Sequence, residues 1–143
     1  MRLDLPANVI ATATLRGNEY SWAVGTFLDA LENAHAAGFG CIGGQFQFRF
    51  PDAICEMWWH QADAGGPKPG EDWSSYVKRS TDTIRTQFLR TMESANFLEE
   101  AREWPMIQEK MRQGVDPIAH LCFVAYFMSE KERKALPASE SRS

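Results

Sequence analysis

Residues 45–60 constrain the fold more than any other stretch of the chain. Phe46, Phe48 and Phe50 alternate with Gln45, Gln47 and Arg49, Pro51-Asp52 reads as the corners of a turn, and Ala53 to His60 as an antiparallel return strand. A period of two places successive side chains on opposite faces of a sheet. A two-residue turn pairs Phe50 with Ala53, Phe48 with Cys55, Phe46 with Met57 and Gly44 with Trp59, giving one continuous apolar face. The other face then carries Gln45, Gln47, Arg49, Ile54, Glu56, Trp58 and His60. Proline disfavours the primed turns of short hairpins, so a one-residue bulge that puts Glu56 behind the phenylalanines is the competing arrangement. The register that leaves Glu56 in water is preferred.

The flanking segments supply the rest of the architecture. Val9 to Leu15 is rich in β-branched residues and reads as a short strand. From Ser21 to Ala37 the apolar positions Val24, Phe27, Leu28, Leu31 and His35 follow helical spacing, with Ser21 as N-cap and Gly38 as the left-handed residue past the end. Asp72 caps a helix to about Ser94 whose inward side holds Trp73, Tyr76, Val77, Ile84, Phe88 and Met92. Asn96 and Glu99 resemble a capping box for a helix through Trp104, and Pro105 opens a segment that Gly114 closes. Ile118 to Met128 is apolar on every side: Asp116-Pro117 argues for a helix start, the Phe-Val and Tyr-Phe pairs for a strand. Taken as a strand, it completes an α+β domain, an antiparallel sheet of about four strands with helices on one face, in a ferredoxin-like arrangement. Residues 1–130 form that single domain, and 131–143 a frayed or disordered tail.

With 143 residues, 44% hydrophobic and 24% charged, the composition is that of one soluble domain able to bury a core without staples. It contains neither a run of about 20 apolar residues nor a secretory signal at the N-terminus, so no membrane association and a cytoplasmic address are expected. Cys41, Cys55 and Cys122 are odd in number and lack CxxC spacing, and read as reduced, buried thiols. A net charge of −4 argues against nucleic acid and mildly favours a basic or neutral partner. Neither a cofactor nor a metal is expected.

Several letter patterns fail for want of context. Gly38 to Gly43 spells GxGxxG but leaves a helix and enters a strand, the reverse of a dinucleotide site. Ser75 to Lys78 spells SxxK without companion motifs. Glu56 and His60, four residues apart on a strand, are separated by roughly 13 Å and cannot share a metal. His60 can pair with Asp63 if the chain bends, which would orient a general base. His35 reads as a helix-end residue, and His120 and Cys122 as parts of a buried segment.

Five tryptophans are many for this length, and Trp58 and Trp59, being adjacent on a strand, cannot both point inward. The expectation is therefore a small protein-binding domain with Trp58 as anchor and Arg49, Glu56, Gln45, Gln47 and His60 around it, acting as an antitoxin or immunity-type inhibitor that occludes a partner protein. The alternative is a small enzyme or ligand-binding domain with a pocket between the sheet and the 61–72 loop, using His60 with Asp63 or Glu56. The same face, or the 118–128 segment, would also serve a homodimer.

Overall fold

A computed structural model describes residues 4–135. The central hairpin is longer than its phenylalanine signature, with β3 spanning Gly40–Phe50 and β4 Ala53–Asp63. At the turn the register is the expected one: Phe50 faces Ala53, Phe48 faces Cys55 and Phe46 faces Met57. No non-glycine residue among those described has a positive φ, so Pro51-Asp52 turns without the primed geometry that proline resists.

With β1 (Ala13–Arg16), β2 (Glu19–Ala23) and β5 (Leu121–Met128), five strands, all antiparallel, lie in the order β1-β2-β5-β3-β4. The last of them, β5 (Leu121–Met128), occupies the centre. Both signals in the 118–128 segment are realised in turn. Asp116 caps a 3-10 turn over Pro117–His120 by accepting from the Ile118 amide, and the chain then extends as a strand because it is covered on both sides. The sheet thus has one strand more than expected, within the expected α+β layering of helices on one face, but its order is not the expected ferredoxin-like one, which puts the last strand at an edge; here β5 lies between β2 and β3.

The additional strand comes from the N-terminal third, where two expectations are corrected. Val9 to Leu15 is not one strand: Ala7–Ile10 forms a single helical turn, α1, and β1 is confined to Ala13–Arg16. Ser21 is not an N-cap but part of β2, Glu19–Ala23, and α2 begins only at Phe27 and runs to Ala36. Tyr20 and Trp22 alternate with Ser21 and Ala23, and this short period of two overlaps the start of the helical spacing. Trp22 decides between them. It is fully buried, and its indole nitrogen needs an acceptor there, which the Val9 carbonyl supplies at 2.9 Å. That bond holds α1 over the β1–β2 hairpin.

The helices pack on the phenylalanine face. Phe27 of α2 and Phe88 of α3 (Trp73–Ser94) meet Phe46 and Phe123 of the sheet, with ring centroids 4.5–5.3 Å apart. Asp72 caps α3 as expected, accepting from the Ser75 amide at 2.8 Å. Asn96 likewise caps α4, Phe97–Ala101, which stops short of Trp104 because Pro105 drives the residue before it into an extended conformation. Helices α5 (Pro105–Arg112) and α6 (Glu130–Ala135) complete the described chain. Arg133 of α6 donates to the Glu71 carbonyl at 2.8 Å, and residues 136–143 of the expected tail lie outside the described residues.

The face without helices is a trough rather than a plane. β1 lies three strands from β3, about 14 Å in a flat sheet and beyond an arginine's reach. Yet the Arg16 guanidinium donates to the carbonyls of Phe50 and Pro51 at 2.9 and 3.0 Å. Only three residue pairs join β2 to β5. Past this short ladder the β1–β2 ribbon follows its own right-handed twist and curls over the sheet, where the Arg16 bonds hold it. Ser21, Gln47 and Val124 are consequently at most 3% exposed on the face opposite the helices.

Candidate functional site

The expected pairing fails beyond Met57. Phe46 faces Met57, but Gln45 faces Gln61, so Trp58, Trp59 and His60 have no counterpart on β3. An odd number of extra residues reverses the alternation of the strand beyond them. His60, expected beside Trp58 and Glu56, therefore turns to the helical side, where its ring lies 5.3 Å from that of Phe97. Trp58 and Trp59 are left 67% and 46% exposed.

The bulge is braced from α4. The Glu100 carboxylate accepts from the Trp59 indole N–H at 2.7 Å and meets His60 Nε2 at 2.8 Å. Trp104 stacks on Trp59, centroids 6.5 Å apart and planes 20° from parallel, and Trp58 stands edge-on to Trp59 at 5.6 Å. Ile54, exposed, lies on the same outer side of the β4 edge strand as Glu56 and Trp58. Gln45 donates to Glu56 at 2.8 Å, fixing both at this surface.

The other expected polar members are elsewhere. Gln47 is 1% exposed, and its carbonyl oxygen accepts from Arg49 Nε at 2.9 Å. Arg49 also donates to the Ser21 hydroxyl at 3.2 Å, lying across β5 toward the curled hairpin. Of the six residues expected to form one patch, Trp58, Glu56 and Gln45 share the outer surface, Gln47 and Arg49 belong to the trough, and His60 braces the bulge from behind. Burial beneath the β1–β2 curl is the reason for the first removal, and reversed parity for the second.

Asp63 does not meet His60. Its carboxylate accepts from the Gly65 amide at 2.8 Å, and its main chain is held by Gln87 of α3. The loop that follows is tied down rather than poised as a lid. Tyr76 and Arg79 of α3 donate to the carbonyls of Gly65, Ala64 and Gly66, and Arg79 pairs with Glu71 at 2.8 Å. A depression of about 320 Å³ adjoins the loop's start between Gln45, Gln61, Asp63 and Tyr126, and His60 is not among its lining residues.

The remaining candidates are structural. Cys41, Cys55 and Cys122 are free and buried, and burial raises all three thiols. Ser75 and Lys78 are exposed residues of α3, and Lys78 pairs with Asp82 at 3.1 Å. His120 Nδ1 lies 3.1 Å from the Arg49 carbonyl. Gly40, in the GxGxxG pattern, admits the Tyr76 ring, which a Cβ there would approach to 2.3 Å. Among the described residues no three His, Cys, Asp or Glu side chains are grouped to hold a metal ion, and no helix is long and apolar enough to cross a membrane.

Glu100, Trp104 and Arg16 carry much of this geometry, and no pattern in the sequence marks them for it. Glu100 is 40 residues from His60 along the chain, and no local spacing signals that contact. The sequence matches no protein-family model, and neither a curated protein nor a solved structure matches it.

Proposed function

We propose that this protein is a protein-binding module that acts by occupying a partner's surface, an inhibitor of the immunity or antitoxin type, with the Trp58–Trp59 bulge as its anchor. The observation that carries this reading is an edge-strand bulge with two adjacent exposed tryptophans, of which Trp59 is held by Glu100 and Trp58 stands edge-on against it. Tryptophan is enriched among the residues that dominate interface energy. Covering the open parts of both rings would remove on the order of 200 Å² from water, worth about 5 kcal/mol before the costs of association. The stacking on Trp104 and the bond to Glu100 lower the ordering cost for Trp59 in advance. Two carboxylates stand beside the rings: Glu56 on the outer side of β4, bonded to Gln45, and Glu100 of α4, bonded to Trp59 and His60. The complementary partner has an apolar socket rimmed by lysine or arginine.

A photo-reactive residue at position 58, with position 130 as the remote control, tests this in the native cell. A protein cross-linked at 58 and not at 130 is then purified and titrated against wild type and Trp58→Ala. The reading expects at least a tenfold loss of affinity with the fold intact. Equal affinity of the two refutes it, and a wild-type dimer in light scattering that Trp58→Ala dissolves replaces it with self-association.

A further inference from the structure

We propose that the trough beneath the curled β1–β2 hairpin binds a small organic anion, a carboxylate or phosphate group carried on a compact apolar body. The cavity there measures about 370 Å³, within the range of ligand pockets and many times the volume of a single water. Its charged lining is of one sign. Arg16 and Arg49 contribute to it with His120, and no carboxylate does, although the chain as a whole carries a net charge of −4. It lies across the sheet from the β4 bulge, and neither Trp58 nor Trp59 lines it.

The two guanidinium groups have unmet capacity. Arginine presents five N–H donors and retains its charge. The Arg49 side chain is only 7% exposed, and after its bonds to Gln47 and Ser21 its Nη2 has no hydrogen-bond partner among the described residues. Glu19 stands 3.5 Å away, close enough to offset part of the charge but not to accept a well-formed bond, and its carboxylate is also the acceptor for Tyr126 at 2.6 Å. A buried cation left short of an acceptor is costly. Arg16 donates to two main-chain carbonyls, which are neutral, and among the described residues it has no carboxylate within 4 Å; the Asp52 carboxylate interacts with its charge only from farther away. An oxyanion entering the trough would take up the free donors of Arg16 at its mouth and lie in the field of Arg49, with the Ser21 and Thr14 hydroxyls alongside. Ala23, Pro51 and Ala119, also in the lining, are small apolar residues and call for a compact hydrocarbon body behind the anionic group.

An amide and arginine Nε–H NMR titration of the full chain with benzoate, phenyl phosphate, inorganic phosphate and the neutral benzyl alcohol tests this. The expected result is saturable shifts at Ser21, His120, Cys122 and the two arginine Nε–H groups with benzoate or phenyl phosphate, the tighter of the two identifying the preferred head group. Benzyl alcohol should bind at least about tenfold more weakly, and Arg16→Gln should lose at least about tenfold for the anions, while Arg16→Lys retains part of the affinity. Absence of localised, saturable shifts in the wild type overturns the proposal. So does equal binding of benzyl alcohol, which would leave the arginines no role. Inorganic phosphate binding as tightly as phenyl phosphate would refute the organic body.

Discussion

Replacing Glu100 by alanine isolates the brace behind the tryptophans. The substitution removes the acceptor for the Trp59 indole N–H and the partner of His60 Nε2. A hydrogen bond contributes about 1 kcal/mol net, more when one partner is charged and less where water can replace it. Trp59 is 46% exposed and can turn its N–H to solvent, whereas the His60 side chain is 19% exposed and has less access to water. The two effects together predict a loss of about 1–2 kcal/mol, a fall in Tm of roughly 3–6 °C for a chain of this size. Glu100→Gln, which retains one carbonyl oxygen for Trp59, should lose about half as much. Thermal unfolding gives the first readout. The second is hydrogen exchange at the Trp59 indole, resolved by NMR from the other tryptophans, which should accelerate in Glu100→Ala. Affinity for a partner seated on the bulge should fall about three- to tenfold, because Trp59 must then be immobilised on binding. An unchanged Tm together with unchanged indole exchange would show that Glu100 holds nothing, and would remove pre-organisation from the functional argument.

Two further perturbations probe the frame around the sites. A Cβ at Gly44 would lie 2.2 Å from the Val124 carbonyl oxygen, a main-chain atom that cannot retreat without opening the β3–β5 ladder. Gly44→Ala should therefore cost about 3 kcal/mol in urea unfolding, while Gly66→Ala, with open space around it, serves as the control; equal midpoints would refute the close approach. In the loop after β4, the hydrogen-bonded Arg79 guanidinium, assisted by the Lys68 amide, holds the Glu71 carboxyl down to about 2 from an ordinary 4.5. Because the folded value lies below the unfolded one, this contribution is complete above about pH 4.5 and lost as the pH falls toward 2. An NMR titration should place Glu71 near 2 in the wild type and closer to 4.5 in Arg79→Met, and a wild-type midpoint near 4.5 would contradict the pairing.

The elements that could be read from the chain are those whose decisive contacts are local. The 50–53 turn, the Asp72 cap and the Asn96 cap each depend on residues within three positions of one another, and each is where the sequence places it. The N-terminal third misleads because its structure is decided at a distance. Val9 accepts from a tryptophan 13 residues away, and Ser21 belongs to a strand that pairs with β1 across the Gly17-Asn18 turn but is held in the sheet by β5, a hundred residues further on. The site divides in the same way. The exposure of a tryptophan in the Trp58-Trp59 pair follows from adjacency, but nothing in the letters Trp58-Trp59-His60 marks a bulge. The periodicity of β4 predicts an unbroken register, and the brace that stabilises the break comes from α4. Arg49 reads as a surface residue because alternation assigns a face, not a depth. Its burial depends on the curl of β1–β2, which becomes evident only from the long reach of Arg16.

The central position of β5 sets the order in which the molecule can be assembled. Each hairpin can pair within itself as soon as it is made, but β2 and β3 have no direct contact in the sheet and wait for a strand that begins at residue 121. Until then two strand edges stay open beside Phe46, Phe48 and Trp22, the surface most prone to pair with another chain. During synthesis this interval covers the whole helical stretch from α3 to α5, and it ends in one step, when β5 closes both edges and buries Phe123 among the aromatic rings.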